Sequence, residues 1–229
     1  MTVELSELVS RLRRFDASTI SDACERSGTE HHVVTGIAPL TAAVPVAGAA
    51  ITVQLGPADD SSGRSARHLA TAAVDAATND HVIVIDHQGR SDCAGWGGNL
   101  SRGAKRRGCA GTIIDGAARD IDEAAAIGYP VFGRGSTPRT ARGRAVEVGC
   151  QTPIEFAGAR VMPGDFVIAD STGIVIVPQR AIADVLDAAG AIAAHEEAIA
   201  RRIDEGTPIS EAMGRRYERM LHGDGADAH

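Results

Sequence analysis

The chain has 229 residues, a formal net charge of −7, 44% hydrophobic residues and only 3% aromatic ones. That length and apolar content suit a globular core, with disorder confined to the ends. The acidic balance and scarcity of stacking rings argue against a nucleic-acid surface, and no stretch approaches the roughly 18 apolar residues of a membrane span, so a small-molecule partner is expected.

No charged leader followed by an apolar run opens the chain, which predicts a cytoplasmic protein. Cys24, Cys93, Cys109 and Cys150 lie far apart, without the paired spacing of a zinc ribbon or redox motif, and read as free buried thiols. With so few rings, the core must be built from Ala, Val, Ile and Leu packed closely with Gly, and burial is expected to be completed by oligomerisation.

Residues 3–28 carry helical spacing, with Asp16 or Ser18 placed to cap a second short helix that ends at Gly28. A strand is predicted at 47–55, a polar loop over 56–63, a helix over 67–77 and a buried strand at 81–86. A second Gly-rich loop covers 87–97, followed by a helix at 100–107 and a strand at 110–114. After a turn at Asp115-Gly116, Arg119-Asp120 opens the next helix. Residues 129–132 read as a short extended segment that Pro130 confines to an edge, and 133–144 as a basic loop with Arg134, Arg139, Arg142 and Arg144. A strand follows at 145–148, then a hairpin whose arms are 166–169 and 174–177 around Asp170-Ser171-Thr172-Gly173, then helix through Ile203. With no internal repeat or linker, one domain over 1–222 is expected, with a mobile tail at 223–229.

The spacing from Gly98 to Arg119-Asp120-Ile121-Asp122-Glu123 places a glycine-rich turn and an Arg-Asp pair at two successive helix starts. The turn offers backbone N–H groups, the arginine a guanidinium for a carboxylate, and Asp120 a ligand for a hard divalent cation. Following a strand, Asp120 should emerge at the carboxyl edge of a sheet, where α/β proteins place ligands. Each residue also has a structural alternative: Asp120 and Glu123 form a good capping box, Arg119 could be a solvated charge, and Gly97-Gly98 an ordinary loop. None of the histidines shows metal-ligand spacing, and His87, between a strand and the Gly-rich loop, is the one singled out.

These residues resemble the class II 4-hydroxy-4-methyl-2-oxoglutarate and 4-carboxy-4-hydroxy-2-oxoadipate aldolases of the RraA-like family. The motif of that group is Gly, twenty residues, Arg-Asp, two residues, then Glu or Asp, and Gly98, Arg119, Asp120 and Glu123 satisfy it. Ser21-Asp22-Ala23, Ile113-Ile114-Asp115-Gly116 and Pro163-Gly164-Asp165 agree with the same pattern, which spans residues 15–210. The resemblance implies an α/β fold, a layered α/β/β domain of the RraA-like, swivelling-domain-like type with N- and C-terminal helices. It implies a lyase that cleaves a 4-hydroxy-2-oxo di- or tricarboxylate to pyruvate and a second oxo acid, with oxaloacetate decarboxylation as a side activity.

In that scheme Arg119 binds the substrate carboxylate, Asp120 holds Mg²⁺ or Mn²⁺, and Gly97, Gly98, Asn99 and Leu100 supply amides. Glu123, or Glu196 or Glu197 from a neighbouring subunit of a homotrimer or homohexamer, would assist proton transfer. Lys105 is the only lysine and lies in an Arg-rich helical segment, which speaks against imine chemistry. The alternatives are a non-catalytic regulator of the same superfamily that docks on an RNA-degrading enzyme, or a related metal-dependent oxo-acid lyase or decarboxylase. Arg134, Arg139, Arg142 and Arg144 suit either a polyanionic substrate or intersubunit salt bridges, and the 56–67 loop lacks the Asp-Asn element of many relatives, leaving substrate preference open.

Overall fold

The structure, a computed structural model, describes residues 2–41, 44–58 and 68–213. It opens with helices α1 (Thr2–Leu12) and α2 (Ala17–Ser27). Asp16 caps α2 by accepting from Thr19 N–H at 2.7 Å, and Gly28 ends it in the left-handed region at φ 63°, as the sequence signals predict. Strands β1 (His32–Val34), β2 (Ala38–Pro39) and β3 (Val46–Pro57) follow, then α3 (Thr71–Ala76), β4 (His81–Trp96), α4 (Gly98–Arg107), β5 (Gly111–Ala118), α5 (Ile121–Ala126) and β6 (Val131–Ser136). The chain continues through β7 (Ala145–Cys150), β8 (Ile154–Phe156), β9 (Ala159–Val161), β10 (Phe166–Ala169) and β11 (Ile174–Val177) to helices α6 (Ile182–Asp204) and α7 (Ile209–Ala212).

One sheet carries the fold, in the order β1-β11-β10-β3-β4-β5-β6-β2, with β7 pairing on β3. Its centre is parallel: β3 with β4, β4 with β5, and β5 with β6, with α3, α4 and α5 as the crossovers. Parallel strands are covered on both faces, and accordingly Val82, Ile83, Val84 and Ile85 are all fully buried. Ile83, Ile85 and Ile114 pack with Leu100, Ala104 and Trp96 beneath the crossover helices. Val82, Val84 and Ile113 pack on the other face with Ile154, Phe156 and Val161 of the β8–β9 hairpin. Helices α1, α2 and α6 close a third cluster over β10 and β11. The chain is a mixed α/β protein with a central sheet and flanking helices, in α/β/β layers.

Several elements differ from the expectation. Residues 87–97 are mostly the second part of β4, whose eleven residues from Asp86 to Trp96 advance only from Asp115 to Ala118 along β5. The excess is taken up by a tight reversal at Gln88 (φ 56°) and Gly89 (φ 67°), two successive left-handed residues as in a type I′ turn. Asp115-Gly116 is not a turn, because β5 runs through it to Ala118. β6 is interior, not an edge: β2 covers its outer side through Ala38 and Pro39, and Pro130 precedes its first residue. The basic loop therefore begins only after Ser136. β1, β2, β8 and β9 are too short, at two or three residues, to show a period. The hairpin of β10 and β11 forms in the expected register, Phe166 opposite Val177 and Ala169 opposite Ile174. Most of the predicted 56–63 loop and all of the 223–229 tail lie outside the described residues.

The close approach of β3 to the start of β4 depends on Gly48, where a Cβ would fall 2.7 Å from the Asp80 carbonyl oxygen. Backbone cannot yield there as a side-chain tip would. Gly48→Ala should therefore destabilise the protein by about 1–3 kcal/mol, read as a lower urea midpoint at constant m-value; a midpoint within error of wild type would disprove the constraint.

Candidate active site at the carboxyl ends of β4 and β5

Because β4 and β5 are adjacent and parallel, their carboxyl ends deliver Gly97-Gly98 and Arg119-Asp120 to one edge of the sheet. Arg119 N–H donates to Trp96 O at 3.0 Å, extending the pairing one residue past β5. The turn into α4 is pinned from beneath: Trp96 Nε1 donates to Ser101 Oγ at 2.9 Å, and that hydroxyl donates to Gly97 O at 3.1 Å. Trp96 also stacks with Tyr129, centroids 6.4 Å apart, so the turn rests on a fixed aromatic floor.

Asp120 has left-handed backbone, φ 57° and ψ 39°, and makes no side-chain bond to its own helix. Its Oδ2 instead accepts from Gly98 N–H at 3.0 Å, at the amino end of α4, where carboxylates are favoured by both the free donors and the dipole. Arg119 Nε lies 3.4 Å from the same oxygen, with both side chains about two-fifths exposed. Glu123 likewise leaves the cap: Oε1 accepts from Arg102 Nε at 2.6 Å. The capping box is thus not formed, and both carboxylates lie over the first turn of α4.

The glycines leave room for these side chains. A Cβ at Gly97 would sit 3.1 Å from Asp120 Oδ2 and 3.2 Å from Arg119 Nε, and one at Gly98 would sit 2.7 Å from Glu123 Cδ and 3.2 Å from Asp120 Cβ.

Gly97, Gly98, Arg119, Asp120 and Glu123 are therefore brought together. Gly98 N–H is already engaged by Asp120, while Asn99 and Leu100 occupy the first turn of α4, whose N–H groups have no intrahelical acceptor. Leu100 is buried, and both residues border a cavity of about 270 Å³ between α3 and α4, with Val74 and Gly103 in its wall. Glu196 and Glu197 stand on the exposed side of α6, where Glu197 pairs with Arg201 at 3.6 Å, apart from this edge within one chain. Arg102 and Ser101 were not anticipated: their roles come from the α4–α5 packing, which no local pattern announces. Arg134 forms an ion pair with Asp115, whose other oxygen accepts from Ala157 N–H at 3.1 Å, so this arginine is a strut to the β8–β9 hairpin.

Among the described residues no group of three or more His, Cys, Asp or Glu could hold a metal. A single accessible carboxylate does not make a zinc or calcium cage. It does fit Mg²⁺ or Mn²⁺, hard ions that keep several waters and take one or two protein carboxylates plus substrate oxygens.

His87 is fully buried apart from this constellation. Nε2 lies 3.0 Å from Cys93 O, its ring would be 2.7 Å from a Cβ at Gly116, and Nδ1 has no partner among the described residues. Burial holds the imidazole below the ordinary histidine range, opposed by the bond to Cys93. The neutral ring therefore donates from Nε2.

The RraA-like family (Aldolase/RraA) matches residues 17–176. The chain is 31% identical over 208 residues to protein DlpA of Legionella pneumophila, covering 91% of this chain but 33% of DlpA, so it spans about a third of that relative. It is 30% identical over 217 residues to a “Putative 4-hydroxy-4-methyl-2-oxoglutarate aldolase” of Halalkalibacterium halodurans, covering 94% and 96% of the two chains. Among solved structures, Streptomyces coelicolor RraAS2, described as an unusual member of the RNase ES inhibitor RraA protein family, superposes with a TM-score of 0.75 at 27% identity, over 83% of this chain and 94% of that one.

Because the folded pKa of His87 is depressed, the unfolded chain takes up its proton first. The stability due to neutral His87 is present above about pH 6.5 and is lost as pH falls toward the folded value; His81, also lowered by burial, adds to the same limb. In His87→Gln the slope of unfolding free energy against pH between 7 and 5 should flatten by up to roughly one proton, and a slope identical to wild type would contradict the assignment. The family match and these relatives establish that the chain belongs to the RraA-like family.

Proposed function

We propose that the protein is a divalent-metal-dependent class II aldolase that releases pyruvate from a 4-hydroxy-2-oxo acid. The observation that carries this reading is the convergence of Gly98, Arg119, Asp120 and Glu123 on one strand edge, with both carboxylates withdrawn from the capping roles that would otherwise explain them. The family membership and the aldolase name of a relative alignable over nearly its whole length support it.

In the proposed reaction Arg119 takes the substrate carboxylate in a charge-assisted pair, with the first-turn N–H groups of α4 as further donors. Asp120 holds the ion, directed by its bond from Gly98. When bound, Mg²⁺ or Mn²⁺ polarises the 2-oxo group and stabilises enolate charge. The C4 hydroxyl loses its proton to an ordered water or to Glu123, the C4 carbonyl forms, and the C3–C4 pair passes to C3 as the enolate of pyruvate. Arg102 holds Glu123 beside the turn through its Nε contact at 2.6 Å. Protonation at C3 completes pyruvate, and decarboxylation of oxaloacetate uses the same enolate. Exposed Val148 on β7 and Met162 after β9 support assembly as a homo-oligomer, a trimer or hexamer in our reading. Similarity to RraAS2 supports a second reading, a regulator that binds an RNA-degrading enzyme.

Asp120→Asn separates these. Asparagine tolerates the left-handed backbone and can still accept from Gly98, so the stability loss should be limited to about 1 kcal/mol, while the charge that holds the ion is gone. Metal-dependent pyruvate release over a panel of 4-hydroxy-2-oxo acids should drop by about 10²-fold or more, and chelator should do the same to wild type. Turnover that survives either treatment removes the metal mechanism. Co-purification of an RNA-degrading complex with no turnover of any oxo acid would establish the regulator instead.

A further inference from the structure

Helix α4 carries the proposed site on one row of its first turns and borders a cavity on the next. Gly98 and Arg102, four residues apart, face α5, where Gly98 N–H donates to Asp120 Oδ2 at 3.0 Å and Arg102 Nε to Glu123 Oε1 at 2.6 Å. Asn99 and Gly103, each one residue further on and so about 100° around the helix, face α3 across a cavity of about 270 Å³ that Leu100 and Val74 also line. Its two helices approach closely: a Cβ on Gly103 would lie 3.0 Å from Val74 Cγ1. Asn99 follows Gly98 directly, so Cα atoms about 3.8 Å apart join the cavity to the turn that holds Asp120.

The chemistry of this cavity differs from that of the turn beside it. Leu100 and Val74 are buried apolar side chains. On the α3 side the polar groups bond within their own segment: Thr71 Oγ1 donates to His68 O at 2.8 Å, and His68 Nδ1 lies 3.2 Å from Leu69 O. Among the described residues no lysine or arginine lines the cavity. Three cations of α4 are committed elsewhere, Arg102 to Glu123, Lys105 Nζ to Gly128 O at 3.1 Å and Arg107 to the Asp75 carbonyl at 2.6 Å. The Asp75 side chain borders the cavity on exposed α3 surface, with no ion pair among the described residues. A carboxylate entering there would lose water and meet a like charge, whereas an alkyl or phenyl group gains by leaving water. The room is ample, since an apolar cavity of about 150 Å³ holds benzene.

We infer that the α3–α4 cavity is the subsite for the C4 substituent of the substrate, and that it takes a neutral apolar group, a short alkyl or a phenyl, in place of the second carboxylate that the sequence resemblance implies. The inference rests on the aldolase reading and narrows it: the chain cleaves 4-hydroxy-2-oxo monocarboxylates whose second product is an apolar aldehyde or ketone. The bond changes are those of the retro-aldol step. C3–C4 breaks, the C4 hydroxyl gives up its proton as the C4 carbonyl forms, and C3 takes one proton to complete pyruvate.

The test compares Mg²⁺-dependent pyruvate release from 4-hydroxy-2-oxopentanoate, 4-hydroxy-2-oxooctanoate and 4-hydroxy-2-oxoglutarate, whose C4 groups are methyl, butyl and carboxylate. Wild-type kcat/KM should be about tenfold to fiftyfold higher for butyl than for methyl, the effect of three more buried methylenes, and lowest for the carboxylate. Gly103→Ala, which sets a methyl against Val74 while improving helix propensity, should cut the butyl-to-methyl ratio about fivefold or more. Asp75→Lys, a change at an exposed position, should raise the carboxylate-to-methyl ratio about fivefold. A wild type that does not favour butyl over both other groups, or ratios that neither variant moves, overturns the subsite. If wild type releases pyruvate from none of the three, it is the aldolase reading that fails. The cavity is then judged by calorimetric binding of 2-oxooctanoate, 2-oxoglutarate and pyruvate: tightest binding of 2-oxooctanoate, weakened in Gly103→Ala, supports it, and equal or absent binding by wild type overturns it.

Discussion

The hydrogen bond from Gly98 N–H to Asp120 Oδ2 is the contact on which the rest of the site depends. It joins the start of α4 to the start of α5, two crossover helices that also meet through the Arg102–Glu123 pair and their shared apolar packing. Its geometry combines left-handed backbone at 120 with glycines at 97 and 98, where a Cβ would crowd the side chains of Arg119, Asp120 and Glu123. That backbone costs an L-residue about 1–2 kcal/mol, least for Asp and Asn. Part of the cost is returned by placing a carboxylate at a helix amino end, about 0.3–1 kcal/mol. Strain held by its surroundings at a ligand-facing position is a mark of function more than of stability.

The same backbone twist decides between the two readings that the sequence leaves open. With ordinary N-cap geometry, Asp120 would turn its carboxylate onto the N–H groups of its own helix, and Glu123 would reach back to complete the box. At φ 57° the carboxylate is carried away to α4, while the Asp120 carbonyl still starts α5 by accepting from Ala124 N–H at 3.1 Å. Helix α5 is begun by backbone alone, and the carboxylates of Asp120 and Glu123 are left for other contacts.

Much of this was legible beforehand, for reasons that differ by residue. The apolar run at 81–86 and the caps at Asp16 and Gly28 are local signals, and the structure follows them. So is the glycine-to-Arg-Asp spacing, because a βαβ crossover converts sequence separation into adjacency at one strand edge. What local pattern cannot show is long-range pairing. β2 covers β6 from more than ninety residues upstream in the chain, a partner that the edge expected for 129–132 from Pro130 does not foresee. Gln88-Gly89 reverses β4 without ending it, which reads as loop in a sequence and as strand in space. Arg102 carries no motif of its own; only the contact of α4 with α5 reveals that it holds Glu123.

Arg119 occupies a different energetic class from Asp120. Its pair with Asp120, at 3.4 Å and with both groups two-fifths exposed, belongs among surface ion pairs worth about 0–1 kcal/mol. Asp120 is fixed by backbone and by Gly98, whereas Arg119 is held chiefly by a contact it can exchange at little cost. An arriving substrate carboxylate offers the guanidinium a bidentate partner in place of a single Nε contact, and withdrawal of Arg119 unburdens Asp120 Oδ2 of a competing cation. In the proposed reaction, an anion at Arg119 and a cation at Asp120 would then favour each other's binding, because each would remove from Asp120 or Arg119 the partner that the other ligand has to displace. The reciprocal coupling of two sites through one shared ion pair is a property of this Arg-Asp adjacency, and neither residue alone would provide it.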